Sequence, residues 1–193
     1  MIKKILASAV LTSMLATPAL MAESNPYEVD TYSLVGFEGA YGSFDYERST
    51  TAKAEQINLN GGGVKIGAQS ENYRLFVSIR GYDAGEFNYA RTYGVEGQYM
   101  FNFSKFANFY IGVNAGTTDM ELRDALTKDT VKVYDPYVGG DAGFNIHLGD
   151  MADLELGARI MNLNSDVTVG TTNYSFENLI SGYASIIFKY KMD

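Results

Sequence analysis

The sequence predicts an all-β protein, an eight-stranded antiparallel up-and-down transmembrane β-barrel. Three observations lead to this fold class: apolar and polar residues alternate with a period of two in eight segments, the connections between them alternate long and short, and an apolar leader precedes them. Because successive side chains of a strand point to opposite faces, each segment has one apolar and one polar face. Apolar residues toward lipid and polar residues toward the lumen are typical of a membrane barrel.

The N-terminus has the pattern of a secretory signal peptide. A basic start is followed by an apolar run over 5–20, and small residues precede Glu23. Cleavage is expected after Ala22, with Ala19 as the alternative site. The predicted domains are a signal peptide over 1–22, a periplasmic lead-in over 23–31 and an outer-membrane β-barrel over 32–193.

The composition limits the possible partners and sites. Cleavage after Ala22 leaves about 171 of the 193 residues, enough for one domain, and changes the formal charge from -8 to about -10 because Lys3 and Lys4 are lost. An acidic chain has no electrostatic reason to bind nucleic acid. The chain has no cysteine, which excludes disulfides and thiolate metal sites. No metal site and no cofactor are predicted.

The eight predicted strands lie between turns and loops of regular alternation. In chain order the alternating segments span 35–42, 64–69, 73–80, 93–101, 109–116, 138–146, 154–161 and 180–190. Long polar connections are predicted over 45–60, 82–90, 117–136 and 162–176, and short turns over 70–72, 102–108 and 149–150. An up-and-down membrane barrel has short periplasmic turns and longer extracellular loops. The sequence therefore predicts both chain ends at the periplasmic side.

The apolar parity of these segments is predicted to face lipid. The predicted membrane-facing residues are Val35, Phe37, Leu75, Val77, Ile79, Val95, Ile111, Val113, Val138, Phe144, Leu154, Leu156, Ile160, Ile186 and Phe188. A soluble periplasmic barrel of the lipocalin type, with an apolar interior, would show the same period of two and is kept as an alternative.

The polar parity is predicted to line the lumen, because it is rich in glycine and the inside of an eight-stranded barrel is narrow. It also carries charges of both signs, which cost several kcal/mol each when buried unless they are paired. The sequence therefore predicts a lumenal ion-pair network of Glu38, Lys65, Arg74, Arg80, Glu96, Asp141, Glu155, Arg159 and Lys189.

Aromatic residues are predicted to form a girdle at each membrane surface. The predicted periplasmic girdle comprises Tyr73, Phe101, Phe103, Phe106, Phe109, Phe188 and Tyr190. The predicted outer girdle comprises Tyr82, Phe87 and Tyr89.

In this pattern the chain resembles the small outer-membrane barrels of Gram-negative bacteria, of the OmpA transmembrane domain and OmpX type. The resemblance is one of architecture over nearly the whole mature chain. It implies a location in the bacterial outer membrane, contact with membrane lipid and lipopolysaccharide, and assembly by the barrel-assembly machinery. With no patterned partner face, a monomer is expected.

Three functions remain open at this point. The first is a structural or surface-interaction role, with acidic extracellular loops that could bind an extracellular partner. The second is a narrow channel for ions or small solutes, although an eight-stranded barrel is just wide enough for side chains to fill it. The third is a membrane enzyme, but the single histidine, His147, falls near a periplasmic turn with no nucleophile beside it, so no catalytic residue and no enzyme activity are predicted.

Overall fold

Eight antiparallel strands close into a single barrel. The computed structural model describes residues 31–49, 55–83, 87–123, 130–169 and 172–191. The strands are β1 (Thr31–Arg48), β2 (Glu55–Ser70), β3 (Tyr73–Asp83), β4 (Phe87–Asn102), β5 (Ala107–Arg123), β6 (Thr130–His147), β7 (Ala152–Val169) and β8 (Thr172–Lys191). Each pairs with its neighbours in the chain, and β1 pairs with β8. The predicted fold class is confirmed.

The two ends of the barrel differ, and we name them by their structure. The turn end holds the connections 71–72, 103–106 and 148–151, together with Thr31 and Lys191. The extended end is the opposite end, where the strands run on past the apolar outer surface. The predicted signal peptide and most of the predicted lead-in lie outside the described residues. No helix in the described ranges is long and apolar enough to cross a membrane.

The predicted long loops are wrong over most of their length, because the strands continue through them. β1 extends to Arg48 and β2 begins at Glu55, so pairing covers most of 45–60. β7 and β8 pair as far as Val169 and Thr172 within the predicted loop 162–176. A bulge between Asn162 and Ser165 is accommodated here by Asn164 at φ 44°, a conformation that asparagine tolerates. The connections at the extended end are therefore short.

The face of the sheet that carries the apolar side chains changes along the barrel, from the outer face to the inner face. In the half toward the turn end, apolar side chains point outward and charged side chains point inward. At the extended end, polar side chains such as Asn58 point outward while Phe44, Ile57 and Phe176 point inward. This part resembles a water-soluble barrel, with a wet exterior and an apolar core.

Candidate functional site

The outer face of the barrel carries an apolar band on the side of the turn end. All fifteen predicted membrane-facing residues lie on this face. Twelve of them are exposed large hydrophobics, for example Val77 at 45% and Val113 at 70% exposure. Val35, Val95 and Leu154 are partly covered by their neighbours. Exposed hydrocarbon on every strand is what a lipid environment requires of a barrel.

A continuous ladder of aromatic rings borders this band at the turn end. It runs across β3, β4, β5 and β6, with centroid distances of 5.1 Å for Tyr73–Tyr99, 4.8 Å for Tyr99–Phe101, 6.0 Å for Phe101–Phe109 and 5.4 Å for Phe109–Phe144. Such edge and tilted contacts stabilise aromatic pairs beyond their buried area.

The predicted outer girdle needs a correction. Tyr82 points into the barrel and is 6% exposed, because it belongs to the inward parity of β3, so it is not a girdle residue. The side chain of Phe87 lies outside the described part of the structure. Tyr41, Tyr93 and Tyr134 are exposed aromatic residues near the edge of the band that faces the extended end.

Inside the band, charged side chains from four strands meet around Glu38. Its carboxylate accepts hydrogen bonds from Arg80 Nε at 2.8 Å and from Arg159 Nη1 at 2.7 Å. Both guanidinium groups also pair with Glu96. All four side chains are at least nine-tenths buried, so each charge depends on the others for its stabilisation.

Lys65 extends this cluster toward the turn end. Its Nζ lies 2.5 Å from Glu155 Oε1 and 3.9 Å from Glu38 Oε2. The ammonium group also lies 4.8 Å from the ring centroid of Phe76, in the geometry of a cation–π contact.

Asp153 is the centre of a second cluster and was not predicted. Arg74 pairs with it, Lys189 Nζ lies 2.8 Å from its Oδ1, and His147 Nδ1 lies 2.7 Å from the same oxygen. The sequence prediction began the seventh strand at Leu154, two residues after its start at Ala152, and so left this carboxylate outside the strand. The register of Asp153 opposite His147 and Ile187 puts it on the inward parity.

Asp141 is the predicted network member that lies apart from the ion pairs. Among the described residues no cation lies within ion-pair distance of it. Its carboxylate accepts hydrogen bonds from Gln98 Nε2 at 3.0 Å, Asn114 Nδ2 at 3.2 Å and the Tyr183 hydroxyl at 3.3 Å. This acid is thus solvated by neutral donors.

With Asp153 included, the charges described in the lumen of the band balance, five against five. The acids are Glu38, Glu96, Asp141, Asp153 and Glu155, and the bases are Lys65, Arg74, Arg80, Arg159 and Lys189.

Glycine makes room for these large side chains. The hydroxyls of Tyr110 and Tyr183 meet at 2.6 Å over Gly157. A Cβ at this position would lie 2.1 Å from the Tyr110 hydroxyl and 2.8 Å from Cζ of Tyr183. Only glycine therefore fits here without moving both rings.

At the extended end the interior is closed by a group of packed apolar side chains, which we call the inner apolar cap. Phe44 and Phe176 stack within it, with centroids 5.7 Å apart. Its buried members are Phe44, Ile57, Leu59, Tyr82, Ala90, Met120, Leu122, Val131, Val133, Tyr137, Met161, Leu163, Tyr174, Phe176 and Leu179.

The outer surface of the extended end is polar and predominantly acidic. Its described acids are Asp45, Glu47, Asp83, Asp119, Glu121, Asp166 and Glu177, against the bases Arg91, Arg123 and Lys132. Lys132 Nζ lies 2.9 Å from Glu121 Oε2, and Asn88 Nδ2 lies 2.7 Å from Oε1. These hydrogen bonds, that of Lys132 first, lower the pKa of the Glu121 carboxyl, and the carboxylate raises the pKa of Lys132.

The lumen offers little reactive chemistry. In the described ranges no three histidine, cysteine or acidic residues are grouped so as to hold a metal ion. His147 is held by Asp153 and lies 3.4 Å from the Asn108 amide nitrogen, at the turn end. Ser181 and Ser185 are buried in the lumen, and the part of the chain that the structure describes offers their hydroxyls no hydrogen-bond partner. A base and a nucleophile are therefore not brought together at these residues.

Comparisons with known proteins support the fold. The sequence matches no family model and no curated protein sequence. Among solved structures it is similar to Neisserial surface protein A, with a TM-score of 0.58 and 14% identity over 84% of this chain and 97% of that one. It is also similar to outer membrane protein H of P. aeruginosa, with a TM-score of 0.53 and 15% identity over 80% and 99% of the two chains.

A third similar structure is the N-terminal β-barrel domain of Pseudomonas aeruginosa OprF, with a TM-score of 0.50 and 13% identity over 81% and 97% of the two chains. These identities are low, so the likeness concerns the fold. Together with the apolar band, it confirms the architecture expected from the sequence pattern. The chain has the fold of the small eight-stranded barrels of the bacterial outer membrane.

Proposed function

We propose that this protein is a closed outer-membrane barrel whose extended end projects beyond the outer surface of the cell. We call the polar, predominantly acidic outer surface of that end the acidic rim. The role of the protein is structural or one of surface interaction, and it is not an enzyme. The observation that carries the proposal is the change of chemical sense along the barrel: an apolar exterior around an ion-paired lumen, followed by a polar exterior around the inner apolar cap.

The apolar band has an outer surface suited to a bilayer, and the extended end has an outer surface suited to water. Polar residues such as Asn58 and Glu177 on the outer face of the extended end would be costly in hydrocarbon. The inner apolar cap needs water outside the barrel to gain from burial, because the hydrophobic effect depends on removing apolar surface from water. We therefore place the extended end outside the cell and the turn end in the periplasm.

The same features argue against a porin-like channel. The charged side chains of the lumen pair with one another across its width, and the inner apolar cap packs over them. An eight-stranded barrel has room for side chains but not for an additional aqueous channel.

Partners follow from the two surfaces. The apolar band contacts membrane lipid, including lipopolysaccharide in the outer leaflet, and the barrel-assembly machinery inserts the chain. The predominantly acidic rim would select an extracellular partner with a basic surface, since complementary charge steers association. The barrel acts as a monomer.

Surface labelling of single cysteines tests this placement, since the chain has no cysteine of its own. Asn58→Cys lies on the outer face of the extended end, and Lys105→Cys lies in a connection of the turn end; both positions are exposed. In intact cells a membrane-impermeant maleimide should label Asn58→Cys and should reach Lys105→Cys only after lysis. Labelling in the reverse order, or labelling of neither in intact cells, contradicts the proposal.

A further inference from the structure

A groove opens on the outer face of the barrel near the turn end, within the apolar band. Its volume is about 730 Å³, and residues of β2, β3, β4 and β5 line it. Two rows of cross-strand neighbours shape it. The first row is Ala68, Leu75, Gly97 and Val113, and the second, nearer the turn end, is Ser70, Tyr73, Tyr99 and Ile111.

Gly97 makes the floor of this groove. A Cβ built on Gly97 meets no other atom within 4 Å, so the space above the backbone is open. Its neighbours Leu75 and Val113 stand up on either side, with 45% and 70% of their surfaces exposed. The rings of Tyr73 and Tyr99, 5.1 Å apart, form the wall toward the turn end. The result is an open depression with hydrocarbon and aromatic walls.

We propose that this groove binds one acyl chain of a phospholipid from the periplasmic leaflet. The groove lies in the surface proposed to face lipid and its walls are hydrocarbon and aromatic, so its occupant must be apolar, as a hydrocarbon chain is. The edge of the groove toward the turn end carries the polar residue Ser70, where the headgroup region of that leaflet begins. This assignment rests on the orientation proposed above, because lipopolysaccharide belongs to the leaflet at the other end.

A second copy of the barrel fits the groove less well. A two-fold dimer brings the same patch of each subunit together. The two depressions over Gly97 would then face each other and leave a void, and atoms that line a void lose their dispersion contacts. A flexible chain from the bilayer can follow the floor without such a gap.

Substitutions at glycine test the proposal without disturbing the lumen. Gly97→Leu fills the groove from its floor, and Gly97→Val does so with a smaller side chain that suits a strand. Gly39→Leu is the matched control: Gly39 also faces outward, on β1, and an added Cβ there meets no atom within 4 Å. Folding of each variant is checked by the difference in gel migration between unheated and heated samples.

The readout is native mass spectrometry of the full mature barrel extracted from outer membranes in a mild detergent. The wild type and Gly39→Leu should retain one phospholipid. In Gly97→Leu the retained fraction should fall about fivefold, which corresponds to about 1 kcal/mol of binding free energy. In Gly97→Val the retained fraction should also fall.

The proposal would be overturned by equal retention in all variants, by no retained lipid in the wild type, or by a dimer mass that Gly97→Leu abolishes. Retention of lipopolysaccharide in place of phospholipid would also overturn it, since the occupant would then come from the other leaflet. The proposed function is judged separately by the cysteine labelling, which does not depend on the groove.

Discussion

Arg159 on β7 reaches across the lumen to Glu38 on β1, with Nη1 2.7 Å from Oε1 and Nη2 3.1 Å from Oε2. The strand β8 lies between these two strands, so β7 and β1 share no backbone pairing. Two parallel hydrogen bonds between a guanidinium and a carboxylate are stronger and more specific than a single one. The pair therefore fastens strands that the sheet itself does not join.

Arg159→Met should lower the free energy of unfolding by about 3 kcal/mol, because it leaves the buried carboxylates of Glu38 and Glu96 short of positive charge. Urea titration of the barrel in lipid bilayers, followed by gel migration of unheated samples, measures this change. Arg91→Met, at an exposed arginine on the outer face, is the control and should stay within about 0.5 kcal/mol of the wild type. Equal changes in the free energy of unfolding for the two substitutions would show that the Arg159–Glu38 pair does not stabilise the barrel.

The two buried aspartates should respond differently to amide substitution. Asp153→Asn removes the carboxylate that Arg74 and Lys189 share, leaving Arg74 only the more distant Glu155 at 3.8 Å, and should cost about 3 kcal/mol of unfolding free energy. Asp141→Asn should be neutral or stabilising, because the described residues give Asp141 no cation. The side-chain amides of Gln98 and Asn114 can rotate so that Gln98 Oε1 and Asn114 Oδ1, to which no described residue donates, accept from the new amide. The same urea titration compares them, and a larger loss for Asp141→Asn would contradict this view of the lumen.

The inner apolar cap should behave like the core of a soluble protein. Phe176→Ala removes a fully buried ring that stacks on Phe44, and should cost about 3–5 kcal/mol. Asn58→Ala, at an exposed position on the outer face of the same end, should change the stability by less than about 0.5 kcal/mol. If Phe176→Ala is as mild as this control, the cap is not a packed core.

The pKa of Glu121 should lie below the ordinary value for glutamate, and Lys132→Met should raise it, because the Lys132 ammonium group donates a charge-assisted hydrogen bond to this carboxylate. Since the folded state has the lower pKa, this carboxylate stabilises the fold at neutral pH, and its contribution is lost as the pH falls through the folded-state value. Carboxyl ¹³C chemical shifts in detergent micelles follow the titration. An unchanged pKa in Lys132→Met would contradict the assignment.

Sequence periodicity was sufficient for the part of the barrel in which hydrocarbon faces outward. Val77 and Ile111 lie on the outer face and Glu96 lies in the lumen because the period of two fixes the face of each side chain once one face is known. The strand order also followed, since short turns make neighbouring segments antiparallel.

The extended end could not be predicted in this way. Outside the band the outward residues are polar, as at Asn58 and Asp166, and polar stretches were interpreted as loops. The inward residues there, Ile57 and Leu59 on β2 and Val131 and Val133 on β6, do alternate with polar ones. That alternation was the available signal, but it indicates a strand only if the chemical sense of the two faces is allowed to invert.

The ionic contacts depend on depth as well as parity. Lys65 and Glu155 are 90 positions apart in the chain, and only the stagger of the strands brings them to one level. The same stagger leaves Asp141 with no cation among the described residues and places Asp153 at the centre of the second cluster. The parity of the charged residues alone does not give this stagger.

Single-channel recording in planar bilayers tests the central claim most directly, since that claim is a lumen closed by ion pairs and by the inner apolar cap. The refolded mature barrel should show no steady conductance above the bilayer baseline at neutral pH. Stable, stepwise openings of the wild-type barrel would contradict the closed lumen and favour the channel.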